Sequence, residues 1–258
     1  MTGDKSQTSL DVLGIKGLSD SVHTLTKASV DGVGALLSRI CLPAAEELGL
    51  FFRDKVHAWR SKNASAIAQA TEAFLLGTGA PESAHAHPRI VGKIFELGSW
   101  EDDHEVQNMW AGLLASACTE GGKDQRNLIF IHLLNQMSTS QVKLLGIICE
   151  KIPKFISDAG FVTCGTLRVS QEEVLRAFDT DDLQDADVQL DHLRELGLLH
   201  PLGGFDPNAH VADISPSPLA LHLYVRSQGF RGSPIDYFKI TTKLEKNQFP
   251  TVLDSITS

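Results

Sequence analysis

At 258 residues, 42% hydrophobic and 21% charged, the chain has the composition of an ordinary folded protein with a sizeable core. Its formal charge of −9 argues against a general binder of nucleic acid or anionic membrane, since both need a surplus of Lys and Arg. No run of about 18 apolar residues marks a spanning helix, and MTGDKSQTSLDVLG lacks the basic start and apolar stretch of a signal peptide, so a cytoplasmic location is expected.

Residues 1–16 read as a flexible arm. Residues 17–76 read as amphipathic and long helices. Leu18, Val22, Leu25, Val33, Leu36, Leu37 and Ile40 share one face of a helix over 18–42, which Gly32 and Gly34 weaken. Pro43 suits the first position of a second helix, whose stripe runs through Leu48, Phe52, Val56, Trp59, Ile67, Ala70 and Phe74. The polar patch Arg60–Asn63 is either a solvated turn of that helix or a break in it. GTGAPESAHAHP, 77–88, is expected as a solvated linker.

A short helix over 88–97 leads into the strongest pattern in the chain. Val106, Met109, Trp110, Leu113, Leu114 and Ala117 mark one stripe of a helix over 99–118. Ser99 and Asp102 are spaced as a capping box, and Glu101, Asp102, Asp103 and Glu105 fall where the helix dipole favours negative charge. A helix over 127–137 follows. Ser138 with Gln141 caps the next, which stops at Pro153.

Beyond 153 the texture changes. FVTCGTLRVS, 161–170, is β-branched and reads as a strand. Ser170 with Glu173 forms a third capping box, for a helix to about 178. Another helix spans 184–196 and closes on Gly197. Short strands are expected at 198–202 and 209–214 around GGFDPN, then a closing helix started by Ser215 and Pro216. Residues 231–258 read as a peripheral strand or tail.

The cysteines, Cys41, Cys118, Cys149 and Cys164, include no Cys-x-x-Cys pair and read as small hydrophobes in a reducing compartment. His85 and His87 sit two apart in the 77–88 segment, with no further ligand at a recognised spacing. The other histidines are scattered, and His132, inside an apolar run, reads as a core residue. The run Glu101–Glu105 with His104 is the most enzyme-like cluster, but consecutive helical positions point in different directions, and cap and dipole account for its acidity. No phosphate loop and no nucleophile elbow appears. Trp59, Trp100 and Trp110 read as core or interface anchors. No catalytic residue, cofactor or metal site is therefore expected.

The run LDHLRELGLLHPLGGFDPNAHVADISPSPLALHLY resembles the second half of a winged helix-turn-helix: a leucine-spaced helix, a wing, and a closing helix. Over 184–196 four acids face Arg194 alone, the 198–214 wing holds no Lys or Arg, and 139–230 carries seven basic against thirteen acidic side chains. Such a surface repels phosphate, so the module is expected to face protein. Three further blocks, 43–63, 100–117 (with Trp110, Leu113 and Leu114 as its Trp-x-x-Leu-Leu core) and 127–145, resemble the abortive-infection alpha family of bacteria. That resemblance implies a role in defence against phage and no established reaction.

The expected fold is mainly α: an extended helical N-terminal region, a helical core domain over 89–153 of the abortive-infection alpha type, and a winged-helix-like α/β module over 154–230. The expected function is a non-enzymatic defence protein acting through a protein partner or homo-oligomer. The alternatives are a winged-helix transcriptional regulator, which would need a basic surface, and a membrane-acting toxin using the 18–42 helix. A nuclease ranks below both.

Overall fold

The computed structural model describes Leu36, Arg39, Ile40, residues 57–243 and residues 251–253. The expected arm over 1–16, nearly all of the 18–42 helix, and the start of the 43–76 helix lie outside these residues. Among the described residues the protein is mainly α, and it divides into two compact units.

The first unit comprises Met1–Asn135 with Arg226–Arg231. Its elements are α1 (His57–Gly77), α2 (Pro88–Gly98), α3 (His104–Ala117) and α4 (Leu128–Gln136). Arg60–Asn63 lie inside α1, so that polar patch is a turn of helix and not a break. α2 starts on Pro88, whose fixed φ suits a first helical position, and buries Ile90, Val91, Ile94 and Phe95 on one side.

α3 is the centre of this unit. Every residue from Val106 to Ala117 except Asn108 is buried, so the single stripe expected from spacing understates it. The small residues Ala111, Gly112, Ala115 and Ser116 add a second buried side to the stripe of large apolar groups. Gly112 rests against the main chain of Ser227, where a Cβ would collide with the Ser227 carbonyl. A helix end buried this deeply needs partners for its last carbonyls. Asn127 Nδ2 donates to Leu113 O (2.7 Å) and Ser116 Oγ (2.8 Å), and Arg226 Nη1 donates to Ser116 O at 3.4 Å.

The start of α3 corrects the sequence reading. Asp103 is the cap, its carboxylate accepting from Glu105 N at 2.9 Å and Val106 N at 3.2 Å, and Ser99 and Asp102 form no capping box. Ser99 instead closes the C-terminus of α2. Glu101 and Asp102 thus precede the helix rather than lining its first turn. The 77–88 segment is also more than a solvated linker: His85 pairs backbone with Thr119 at 2.8 Å in both directions, and Ala84 and Ala86 are buried.

The second unit comprises Gln136–Val225 with Gly232–Ser258. α5 (Thr139–Lys151) opens on a formed capping box of Ser138 and Gln141 and ends ahead of Pro153. β1 (Lys154–Ile156) pairs antiparallel with β2 (Val162–Cys164), and β3 (Thr166–Ser170) follows. The single strand expected over 161–170 is therefore two. Gly165, bonded through its N–H to Pro153 O at 3.1 Å, divides them, and each side pairs with different neighbours.

Ser170 and Glu173 form the capping box of α6 (Gln171–Ala177); α7 (Leu183–Glu195) is capped by Asp182 and followed by Gly197 at φ +71°. Strands β4 (Gly204–Phe205) and β5 (Val211–Asp213) replace the longer pair expected at 198–202 and 209–214. Leu199 makes an antiparallel bridge to Pro216, with His200 N donating to Ser215 O at 2.8 Å. The chain then turns at 200–203, where Gly203 N donates to His200 O at 2.7 Å, so the sheet ladder resumes at Gly204, whose φ of +122° suits glycine. The closing helix, α8 (Pro218–Ser227), begins at Pro218 and not at Pro216. The tail contains α9 (Pro234–Phe238), capped by Ser233 and Asp236, and β6 (Thr251–Leu253). The four-stranded sheet runs β4-β5-β3-β6, antiparallel except for the parallel β3–β6 pair. Val169, Val174, Leu190, Leu193, Ala212 and Ile214 are buried in this unit.

Candidate functional site

Trp110, Leu113 and Leu114 are packing residues. All three are at most 1% exposed. Trp110 closes over Gly98, where an added Cβ would stand 2.9 Å from Trp110 Cγ and 3.0 Å from Ile67 Cδ1.

The acidic run beside them is dispersed rather than convergent. Asp103 is occupied as a cap, Asp102 is exposed, and His104 shares a hydrogen bond with Asn108 at 3.0 Å. Glu101 is half-buried, and its carboxyl is pushed above the usual carboxylate range, first by burial and then by the charges of Asp102 and Asp103. Among the described residues no three His, Cys, Asp or Glu side chains are grouped to hold a metal. His85 bonds through Nδ1 to Arg39 O at 2.9 Å, and His87 is the N-cap of α2, accepting from Arg89 N at 3.1 Å. His132, expected in the core, lies on the exposed side of α4. Cys118, Cys149 and Cys164 are in no disulfide, and burial pushes the Cys164 thiol up to about 11, away from reactivity.

The first unit does build one organised surface group, where α1 meets the α2–α3 connection. Arg60, three residues before Asn63 on α1, donates from Nε to Ser99 Oγ (3.0 Å) and from Nη2 to Ser99 Oγ (2.9 Å) and Glu96 O (3.1 Å). Asn63 Nδ2 donates to Ser99 O at 3.1 Å, and Gln107 Nε2 donates to Glu101 O at 2.8 Å. These bonds satisfy the carbonyls at the end of α2 and hold the connection rigid. Outside this lattice the Arg60 guanidinium lies 4.4 Å from the Trp100 ring centroid, and Trp59 packs obliquely on Trp100 at 6.1 Å. Trp59 is nonetheless 39% exposed and Trp100 52%.

Spacing had placed both tryptophans on helical faces as anchors, whereas Trp100 lies in the α2–α3 connection. The local sequence gives no sign that Ser99, Arg60 and Asn63 meet, because they are 36 to 39 residues apart.

In the second unit, α7 and the β4–β5 hairpin carry the acids. Asp185 and Glu195 are exposed, and Asp191 pairs with Arg194 at 2.7 Å while Arg194 Nη1 donates to Gly203 O at 3.0 Å. The one basic residue of the helix is thus spent on its own carboxylate and the turn ahead of β4. Val188 is 65% exposed amid these acids, and Leu202 is 85% exposed in that turn.

The family model described as abortive infection alpha matches residues 62–211, from within α1 to the start of β5. The chain belongs to the abortive infection alpha family. No curated protein and no solved structure matches it. The match starts later and ends much later than the three blocks, 43–63, 100–117 and 127–145, that carry the resemblance. The 43–63 block falls almost wholly outside it, while α6, α7 and β4 fall inside. In this abortive infection alpha protein both Trp110 and α7 lie within the matched span, and Trp59 and Arg60 lie just ahead of it.

Proposed function

We propose that this abortive infection alpha protein is a non-enzymatic cytoplasmic component of bacterial defence against phage, working by protein contact, with a partner or with further copies of itself. We read its second unit as a winged-helix-like module turned toward protein. The observation that carries this is the surface of α7: exposed acids around an exposed Val188, with Arg194 already paired. A helix entering a DNA groove needs cations facing phosphate, and this one presents the opposite sign. An apolar residue ringed by charge suits a protein interface instead.

The test is phage challenge of cells carrying the full chain. Plating efficiency should fall with the wild type and recover with Val188→Asp or with Asp185→Lys/Asp187→Lys, none of which touches the buried Ala186, Leu190 or Leu193. Circular dichroism should show both variants folded. Absence of protection by the wild type would remove the defence role; undiminished protection by both variants would remove α7 as the docking surface.

A further inference from the structure

The tryptophan face of the first unit has a chemistry distinct from that of α7. Trp59 and Trp100 expose a large part of their rings at the edge of a rigid hydrogen-bonded lattice, so a partner meets a surface already ordered. Glu101 and Asp102 follow Trp100 directly, and among the described residues neither is ion-paired. Exposed indole rings beside carboxylates form a receptor for a planar cation, because the ring face and the carboxylate attract the same charge. The molecule already shows the fit once, in the guanidinium of Arg60 lying over Trp100.

We infer that the surface formed by Trp59, Trp100, Glu101 and Asp102 docks an arginine-bearing segment of a partner protein, whose guanidinium stacks on the exposed indoles while the carboxylates neutralise it. This rests on the protein-contact reading above and adds a partner chemistry and a second place of contact. Arginine is preferred to lysine here, since its flat, weakly hydrated head stacks on a ring and forks onto a carboxylate.

All three tryptophans, Trp59, Trp100 and Trp110, lie in the first unit, and Trp110 is 1% exposed, so a change in tryptophan emission reports this face and not α7. The experiment titrates the full chain with synthetic hexa-arginine, hexa-lysine and hexa-glutamate, following emission, acrylamide quenching, and the anisotropy of labelled peptide. Hexa-arginine should shift the emission and protect it from quenching, more tightly than hexa-lysine, with no effect of hexa-glutamate.

Trp100→Ala should abolish the emission response. Glu101→Gln/Asp102→Asn, which removes both proposed carboxylates and leaves the Asp103 cap in place, should weaken binding by about tenfold. Asp185→Asn/Asp187→Asn, an equal charge change on α7, should leave the emission response unaltered. Anisotropy showing binding with no change in emission would overturn this inference while leaving α7 as a docking surface. Equal weakening by the two double variants would also overturn it, reducing the effect to net charge. No binding of hexa-arginine would overturn it outright, whatever the phage challenge shows.

Discussion

Gly98 leaves no room for a side chain. A methyl group there would press on Trp110 and Ile67, both essentially buried, at 2.9 and 3.0 Å. Gly98→Ala should therefore destabilise by about 1–3 kcal/mol, as overpacking of a filled core does, read as a lower urea midpoint at unchanged slope. At Asp103 the observed cap makes a sharper distinction: Asp103→Ala should cost about 1 kcal/mol and Asp102→Ala almost nothing, the reverse of what the Ser99–Asp102 spacing predicts. Glu101 supplies the pH-dependent term. Its carboxyl binds a proton more tightly in the folded chain than in the unfolded one, so ionisation costs stability as pH rises past its ordinary value of 4.5. Glu101→Gln should raise the melting temperature at pH 7, and the gain should fade below pH 4.5, where the carboxyl is protonated in both states.

Among elements, α3 depends on close backbone approach. Gly112→Ala would drive a Cβ into the Ser227 carbonyl, and main chain yields less readily than a side chain. That variant should unfold at lower urea than Gly98→Ala. Gly146→Ala, inside α5 with nothing within 4 Å of the new Cβ, should instead stabilise by up to about 1 kcal/mol. The same contrast explains what could be read in advance. The capping pairs Ser138–Gln141 and Ser170–Glu173 were legible because the interacting groups are three residues apart and nothing distant competes for them. Ser99 was misread because its hydroxyl accepts from Arg60, a residue no local spacing connects to it. The break at Gly165 was hidden for a related reason: whether a β-branched run is one strand or two depends on which neighbours pair with each half. Apolar spacing located the core residues Trp110, Leu113 and Leu114, but it carried no hint that Trp59 and Trp100 would meet in an exposed pair.

At the scale of the whole molecule, the net charge of −9 is accompanied by several arginines that are already engaged within the fold. Arg60 is held by Ser99, Arg126 by Asp124 at 2.6 Å, Arg194 by Asp191, and the buried Arg226 by the end of α3. A duplex approaching α7 and the β4–β5 hairpin would meet carboxylates without a compensating basic stripe, and counterion release, the main source of non-specific DNA affinity, would have little to draw on there. Electrophoretic mobility of duplex DNA should consequently be unchanged by micromolar protein at both low and physiological salt. Charge reversal on α7 separates sign from shape. If α7 is barred from DNA by its sign rather than its shape, Asp185→Lys/Asp187→Lys should gain weak duplex binding that falls steeply as salt is raised. A wild-type chain that retards duplex DNA in a salt-dependent way would raise the transcriptional-regulator alternative above the protein-contact reading; a reversed variant that still ignores DNA would mean that the geometry of α7 and its hairpin, not only their charge, is unsuited to a groove.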